Sequence, residues 1–154
     1  MEESIRSLSD KVRFLLNPES YVHRPPSVEA IETHTAWIFL AGEFAYKLKK
    51  PVRYESMDYT SIEARRWSCQ EEVRLNRRLA RDVYFGAIPL AADSVDHLTL
   101  NGSGRVVDWL VHMRRLPADL SLDRLIASGP VPMMRIADAA LKLASFYRDS
   151  ASVP

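Results

Sequence analysis

A single cysteine, Cys69, stands in the whole sequence. With no second thiol no intrachain disulfide can form, and a reducing compartment is the simple reading. Charge of one sign is lacking too. The formal net charge is +1, so no global field draws the chain to nucleic acid or to a membrane surface. No apolar run approaches the ~20 residues of a membrane span. The opening MEESIRSLSDK is polar and starts acidic, unlike a secretory signal. A cytoplasmic protein is expected. The four histidines, His23, His34, His97 and His112, lie too far apart for a local metal motif, and one cysteine cannot build a zinc knuckle. No metal site made of protein ligands is expected. Internal repeats and low-complexity tracts are absent.

What is present is ordinary for a globular chain: 47% hydrophobic and 27% charged residues in 154, enough for one domain or one lobe of a larger one. Ile5, Leu8, Val12, Leu15 and Leu16 recur at helical spacing until Asn17-Pro18. Pro25-Pro26 reads as a linker. Three strand-like runs follow, at 28–33, 36–41 and 44–50. Gly42-Glu43 separates the last two at hairpin length. Thr60-Ser-Ile-Glu63 reads as a capping box, opening a helix of about twenty residues toward Ala80. Residues 84–92 read as a strand, part of which Pro89 demotes to an edge or bulge. Residues 97–100 and 105–113 flank Asn101-Gly-Ser-Gly104, a hairpin signal. Two helical segments close the chain, 120–129 ending in Gly129, and 133–150 with Ile136, Ala140, Leu143, Ala144 and Tyr147 on one stripe. Strands gathered around one helix predict an α+β fold.

The chemistry concentrates in FAYKLKK, residues 44–50. Phe44, Tyr46 and Leu48 form one face, leaving Lys47 in the middle of the other. Lys47 reads either as a solvated lysine that protects a sheet edge or as a fixed cation aimed at an anion. On the following helix Glu72, Leu75 and Leu79 share a face. If the leucines face the core, Glu72 points inward, where a carboxylate needs a cation. Lys47 is the candidate partner, and an ammonium held this way suits a phosphate. The other reading of Glu72 is a boundary charge with its head in water. Glu71 competes for the same role from nearer the solvent edge. Arg65-Arg66-Trp67 with Arg74, Arg77, Arg78 and Arg81 make a basic helix face. Interleaved Glu63, Glu71 and Glu72 favour a solvated face over nucleic-acid contact. Cys69 reads as a buried structural cysteine.

Three segments, IETHTAWIFLAGEFAYKLKKPV (31–52), CQEEVRLNRRLA (69–80) and VHMRRLP (111–117), together resemble the N-terminal lobe of the protein-kinase-like fold in its aminoglycoside phosphotransferase branch. More narrowly the chain is similar to bacterial aminoglycoside phosphotransferase family proteins, some of which carry a fused P-loop kinase domain. The resemblance implies an antiparallel sheet of about five strands plus one packed helix over residues 1–116, with an N-terminal helix. Residues 117–154 would begin a helical C-terminal lobe. It implies ATP with Mg²⁺ as cofactor. Ala45 would leave room for the adenine, Lys47 would reach the α- and β-phosphates, and Glu72 would orient Lys47. Thr33, His34 and Thr35 sit where kinases place their glycine-rich loop. The turn has no glycine, so phosphate contact would rest on backbone N–H groups and the two threonine hydroxyls. Relatives usually carry serine at the place of Ala36. Met113, Arg114 and Leu116 fall at the hinge, where backbone groups recognise adenine.

The same resemblance places a His-Gly-Asp catalytic loop and a metal-binding Asp beyond the final helix. Neither His-Gly-Asp nor a Gly-x-x-x-x-Gly-Lys-Ser/Thr motif occurs in the sequence. The expectation is an ATP-binding lobe without phosphotransferase activity by itself: a truncated product, a gene fragment, or one half of a split kinase. Its partners would be a nucleotide, a missing C-terminal lobe, or a second copy docked through the apolar stripe of 133–150. The alternative is a non-catalytic interaction module on the same small-lobe fold.

Overall fold

The computed structural model describes residues 7–150. Ile5 of the first helical stripe, and everything after Ser150, lie outside the described residues. The chain forms two compact units, the first ending at Arg115 and the second beginning at Leu116.

In the first unit Ser7 opens helix α1 (Leu8–Leu16) by accepting from the Asp10 N–H at 3.2 Å. Asn17 ends it, and Pro18 starts a short 3-10 turn. Strands β1 (Val28–Glu32), β2 (Ala36–Ala41) and β3 (Phe44–Lys49) follow. Gly42, at φ 61°, takes the left-handed position of the β2–β3 turn. A small ribbon, β4 (Arg53–Tyr54) with β5 (Met57–Asp58), precedes helix α2 (Ile62–Asn76). Strands β6 (Tyr84–Ala92), β7 (Leu98–Leu100) and β8 (Arg105–Arg114) complete the unit.

The fold is α+β. Six strands, rather than about five, form one antiparallel sheet in the order β1-β2-β3-β8-β6-β7. Along β3 the side chains alternate. Tyr46 and Leu48 enter a core with Leu15, Tyr21, Phe39 and Leu110. Ala45, Lys47 and Lys49 point to the opposite face, where α2 packs Cys69 and Val73 against Val111 of β8. Two bulges bend the centre of the sheet: Phe85 is extra in β6, and Val107 is extra in β8.

Three local expectations need correction. Asn101–Gly104 does not join paired strands, because β6 lies between β7 and β8 and pairs with both. Turn residues signal that the chain reverses, not which strand it reverses onto. Gly104, at φ 140°, passes so close to the Ala92 carbonyl that a Cβ would overlap it. The cap of α2 is Ser61, whose Oγ accepts from the Ala64 N–H at 3.1 Å. Thr60 instead sends its N–H and hydroxyl to Asp58 Oδ1. The helix also ends at Asn76, four residues before Ala80, and continues as turns.

In the second unit α3 (Leu122–Ser128) stops at Gly129, φ 138°, and α4 (Met133–Ser150) occupies the span read from its periodicity. Ile136, Leu143 and Tyr147 on α4 are exposed, as are Leu122 and Ile126 on α3. Among the described residues no helix is long and apolar enough to cross a membrane.

Candidate functional site

Glu72 projects from α2 onto the β3 face that carries the lysines. Lys47 Nζ donates to Glu72 Oε1 at 2.9 Å, and Lys49 Nζ donates to Oε2 at 2.7 Å. One carboxylate thus holds two ammoniums, and the cluster keeps one excess positive charge. The side chains differ in reach: Lys47 is 27% exposed, Glu72 15% and Lys49 6%. Lys49 is sealed beneath Tyr59, its Nζ 5.1 Å from the ring centroid. Lys47 is the lysine an external anion can reach. Burial pushes the Glu72 carboxyl up, but the hydrogen bonds from Lys49 and Lys47, with their charge, outweigh it and hold it below the ordinary glutamate value.

The inward glutamate has a different cause from the leucine stripe. Leu75 is 46% exposed and does not face the core. The buried face of α2 is Arg65, Cys69 and Val73, and Glu72 stands beside the last two. Residues 65, 69 and 73 repeat every four positions. That period was legible, but an arginine at its head disguised an inward face. Lys49 was missed for a similar reason: at the end of a strand before Lys50-Pro51 it reads as solvated. Glu71 turns outward to Arg74, 2.7 Å away.

The other residues singled out in the sequence lie as follows. Ala45 is buried on the lysine face, two residues before Lys47. Thr33, His34 and Thr35 form the β1–β2 turn, beside the Ala36–Lys49 pair. The Thr33 hydroxyl is already engaged, donating to Ala36 O at 2.9 Å and accepting from Ala36 N at 3.0 Å. Thr35 O accepts from Lys50 N. Met113 lies inside β8, paired to Ala45 on one side and Tyr84 on the other. The Arg114 N–H donates to Val83 O, and the Arg115 N–H to Glu43 O. Leu116 opens the second unit and is exposed. Cys69 is fully buried, its thiol directed at Trp109 O, and burial pushes that thiol up to about 12. Among the described residues no group of three or more His, Cys, Asp or Glu side chains is placed to hold a metal.

A second charged cluster went unrecognised in the sequence. Asp108 of β8 accepts from Lys11 of α1 at 2.8 Å and from Arg65 of α2 at 2.7 Å. All three side chains are buried. Lys11 also donates to Val107 O, and Arg65 to the carbonyls of Tyr59 and Thr60. This cluster ties both helices to the sheet and is saturated by its own partners.

In comparison with known proteins, the chain is 35% identical over 124 residues to an uncharacterized protein of Mycobacterium bovis and to uncharacterized proteins of two Mycobacterium tuberculosis strains. The match takes in 80% of this chain but 23% of each relative, so the chain spans under a quarter of the length of the curated relatives it matches. No family model matches the chain, and no solved structure matches it.

Proposed function

We propose that the first unit is the ATP-binding lobe of a small-molecule kinase of the aminoglycoside phosphotransferase type. One observation carries the reading: the pairing of Lys47, on the third strand, with Glu72, on the helix that follows. Protein kinases use a lysine on their third strand, paired with a glutamate of the next helix, to hold nucleotide phosphates. The donor set suits a polyphosphate. Lys47 keeps donors beyond its single bond to Glu72, and the cluster carries an excess positive charge.

In this reading Lys47 meets the α- and β-phosphates and Glu72 positions it. The His34 and Thr35 end of the β1–β2 turn supplies backbone contacts. Because the amides of Arg114 and Arg115 are committed to Val83 and Glu43, the base is met by groups other than those two N–H donors. Any Mg²⁺ would come bound to the nucleotide phosphates. The sequence holds no His-Gly-Asp, so this polypeptide by itself transfers no phosphoryl group. It works in a reducing, cytoplasmic setting and takes neither nucleic acid nor membrane.

The experiment is a thermal-shift and calorimetric titration with Mg-ATP on the wild-type chain and on Lys47→Ala. A saturable shift that disappears in Lys47→Ala supports the reading. No shift in either protein, with both folded, removes it.

A second reading rests on a separate observation, the exposed apolar side chains of α3 and α4, among them Ile126, Met133, Ile136 and Tyr147. An apolar surface of that kind serves docking, to the remainder of a kinase or to a second copy. Sedimentation of the wild type against Ile136→Asp and Tyr147→Asp tests it. A concentration-dependent dimer that these substitutions abolish supports self-association.

A further inference from the structure

The basic face read from α2 and the turn after it is largely consumed by the fold. Arg65 is buried on Asp108, Arg66 lies over the Trp109 ring at 4.9 Å, and Arg74 pairs with Glu71. Arg77 and Arg81 are different, and β8 brings Arg114 beside them. These three line a cavity of about 430 Å³ together with Asp82, Tyr84 and Phe85.

The way two of the arginines are held matters. Arg77 Nε donates to Tyr84 O at 2.8 Å, and its Nη2 to Phe85 O at 2.5 Å. Arg114 Nε donates to Asp82 O at 3.2 Å, and its guanidinium lies 5.8 Å from the Phe85 ring centroid. The Tyr84 and Phe85 carbonyls lie at the Phe85 bulge of β6, and the Asp82 carbonyl just before that strand. Neutral carbonyls and a ring aim the guanidiniums without cancelling their charge. Most N–H donors of Arg114 and all those of Arg81 remain for an outside acceptor, since neither residue pairs with a carboxylate among the described residues. Three cations against the single Asp82 carboxylate leave an excess of two positive charges around one cavity.

We propose that this cavity binds a phosphate dianion, either the free ion or the phosphoryl group of a phosphomonoester. Its charge equals the local excess. Its tetrahedral oxygens accept bidentate guanidinium bonds, which a point charge cannot fix in direction. Lys47, Lys49 and Glu72 are not among the lining residues, so the site stands whether or not the nucleotide reading does.

The test titrates inorganic phosphate, and separately phenyl phosphate, into the full chain at low salt while following the arginine Nε–H resonances. Saturable shifts at Arg77 and Arg114 are expected, weakening as sodium chloride is raised. Arg81 makes no internal bond of the kind that holds the other two, so Arg81→Ser should keep the native spectrum and melting temperature. It should weaken binding by about fivefold or more, the loss of one charge-assisted contact. Lys47→Ala should leave the titration unchanged. Tighter binding of phenyl phosphate assigns the site to an ester beside Phe85, and tighter binding of inorganic phosphate assigns it to the free ion. The proposal is overturned by shifts that fail to saturate at tens of millimolar phosphate, by an unaltered titration in folded Arg81→Ser, or by loss of binding in folded Lys47→Ala.

Discussion

Lys49 Nζ lies 2.7 Å from Glu72 Oε2, on the far side of the carboxylate from Lys47. The more buried ammonium is therefore not the one an incoming anion would meet. If Lys47 is drawn toward a phosphate, Glu72 keeps a partner, and no buried carboxylate is left without one.

That arrangement orders three substitutions. Glu72→Ala leaves Lys49 charged and buried without its partner, and should cost about 3 kcal/mol in urea unfolding. Lys49→Met replaces the ammonium with an apolar chain while Lys47 still satisfies Glu72, and should cost about 1 kcal/mol. Lys47→Ala removes the most exposed member and should cost less than Glu72→Ala. Equal losses for Glu72→Ala and Lys47→Ala would mean that Lys49 does not depend on Glu72.

The buried Asp108 cluster sets the larger energy. Asp108→Ala leaves Lys11 and Arg65 in the interior with no carboxylate, and should destabilise the first unit by about 3–5 kcal/mol. Lys11→Met, which leaves Arg65 paired, should cost clearly less. A double-mutant cycle between positions 11 and 108 should show strong non-additivity.

Stability should depend on pH through His112. Its ring stacks on Tyr46 at 4.7 Å, and its Nε2 is buried without a hydrogen-bond partner among the described residues. Burial, and then the nearby His23, depress its pKa below the ordinary 6.5. A depressed pKa means that the unfolded chain takes up the proton first. The stabilisation is complete above pH 6.5 and is lost as the pH falls through the lower folded value. Unfolding midpoints should drop on acidification from neutrality, and His112→Phe should flatten that part of the profile. Glu72 adds a separate acid-side loss, because its folded pKa is also depressed below the ordinary glutamate value of 4.5. This contribution is present above 4.5 and is lost at lower pH, so Glu72→Gln alters only that lower window.

Cys69 should be inert in the native protein. Its thiol is fully buried and shifted up to about 12, so almost none is thiolate at neutral pH. Labelling by a thiol-disulfide reagent should proceed at the rate of opening, and become immediate in urea. Rapid native labelling would contradict the packing of Cys69 against Val73 and Val111.

Much of this molecule was legible in one dimension. Alternation gave β2 and β3 with Gly42-Glu43 between them and set Lys47 on the face opposite Phe44, Tyr46 and Leu48, and periodicity gave α4. Such features repeat over a few residues, where local geometry and burial act on adjacent side chains. Partners across the sheet were not legible. Which strand β7 pairs with, the second lysine on Glu72, the meeting of Lys11, Arg65 and Asp108, and the arrival of Arg114 beside Arg77 all join residues far apart in the chain. A charged side chain looks the same in sequence whether it is solvated or buried against its opposite. Only the assembled sheet with its packed helices removes water from some charges and leaves others facing it, because desolvation is a property of the whole neighbourhood and not of the residue.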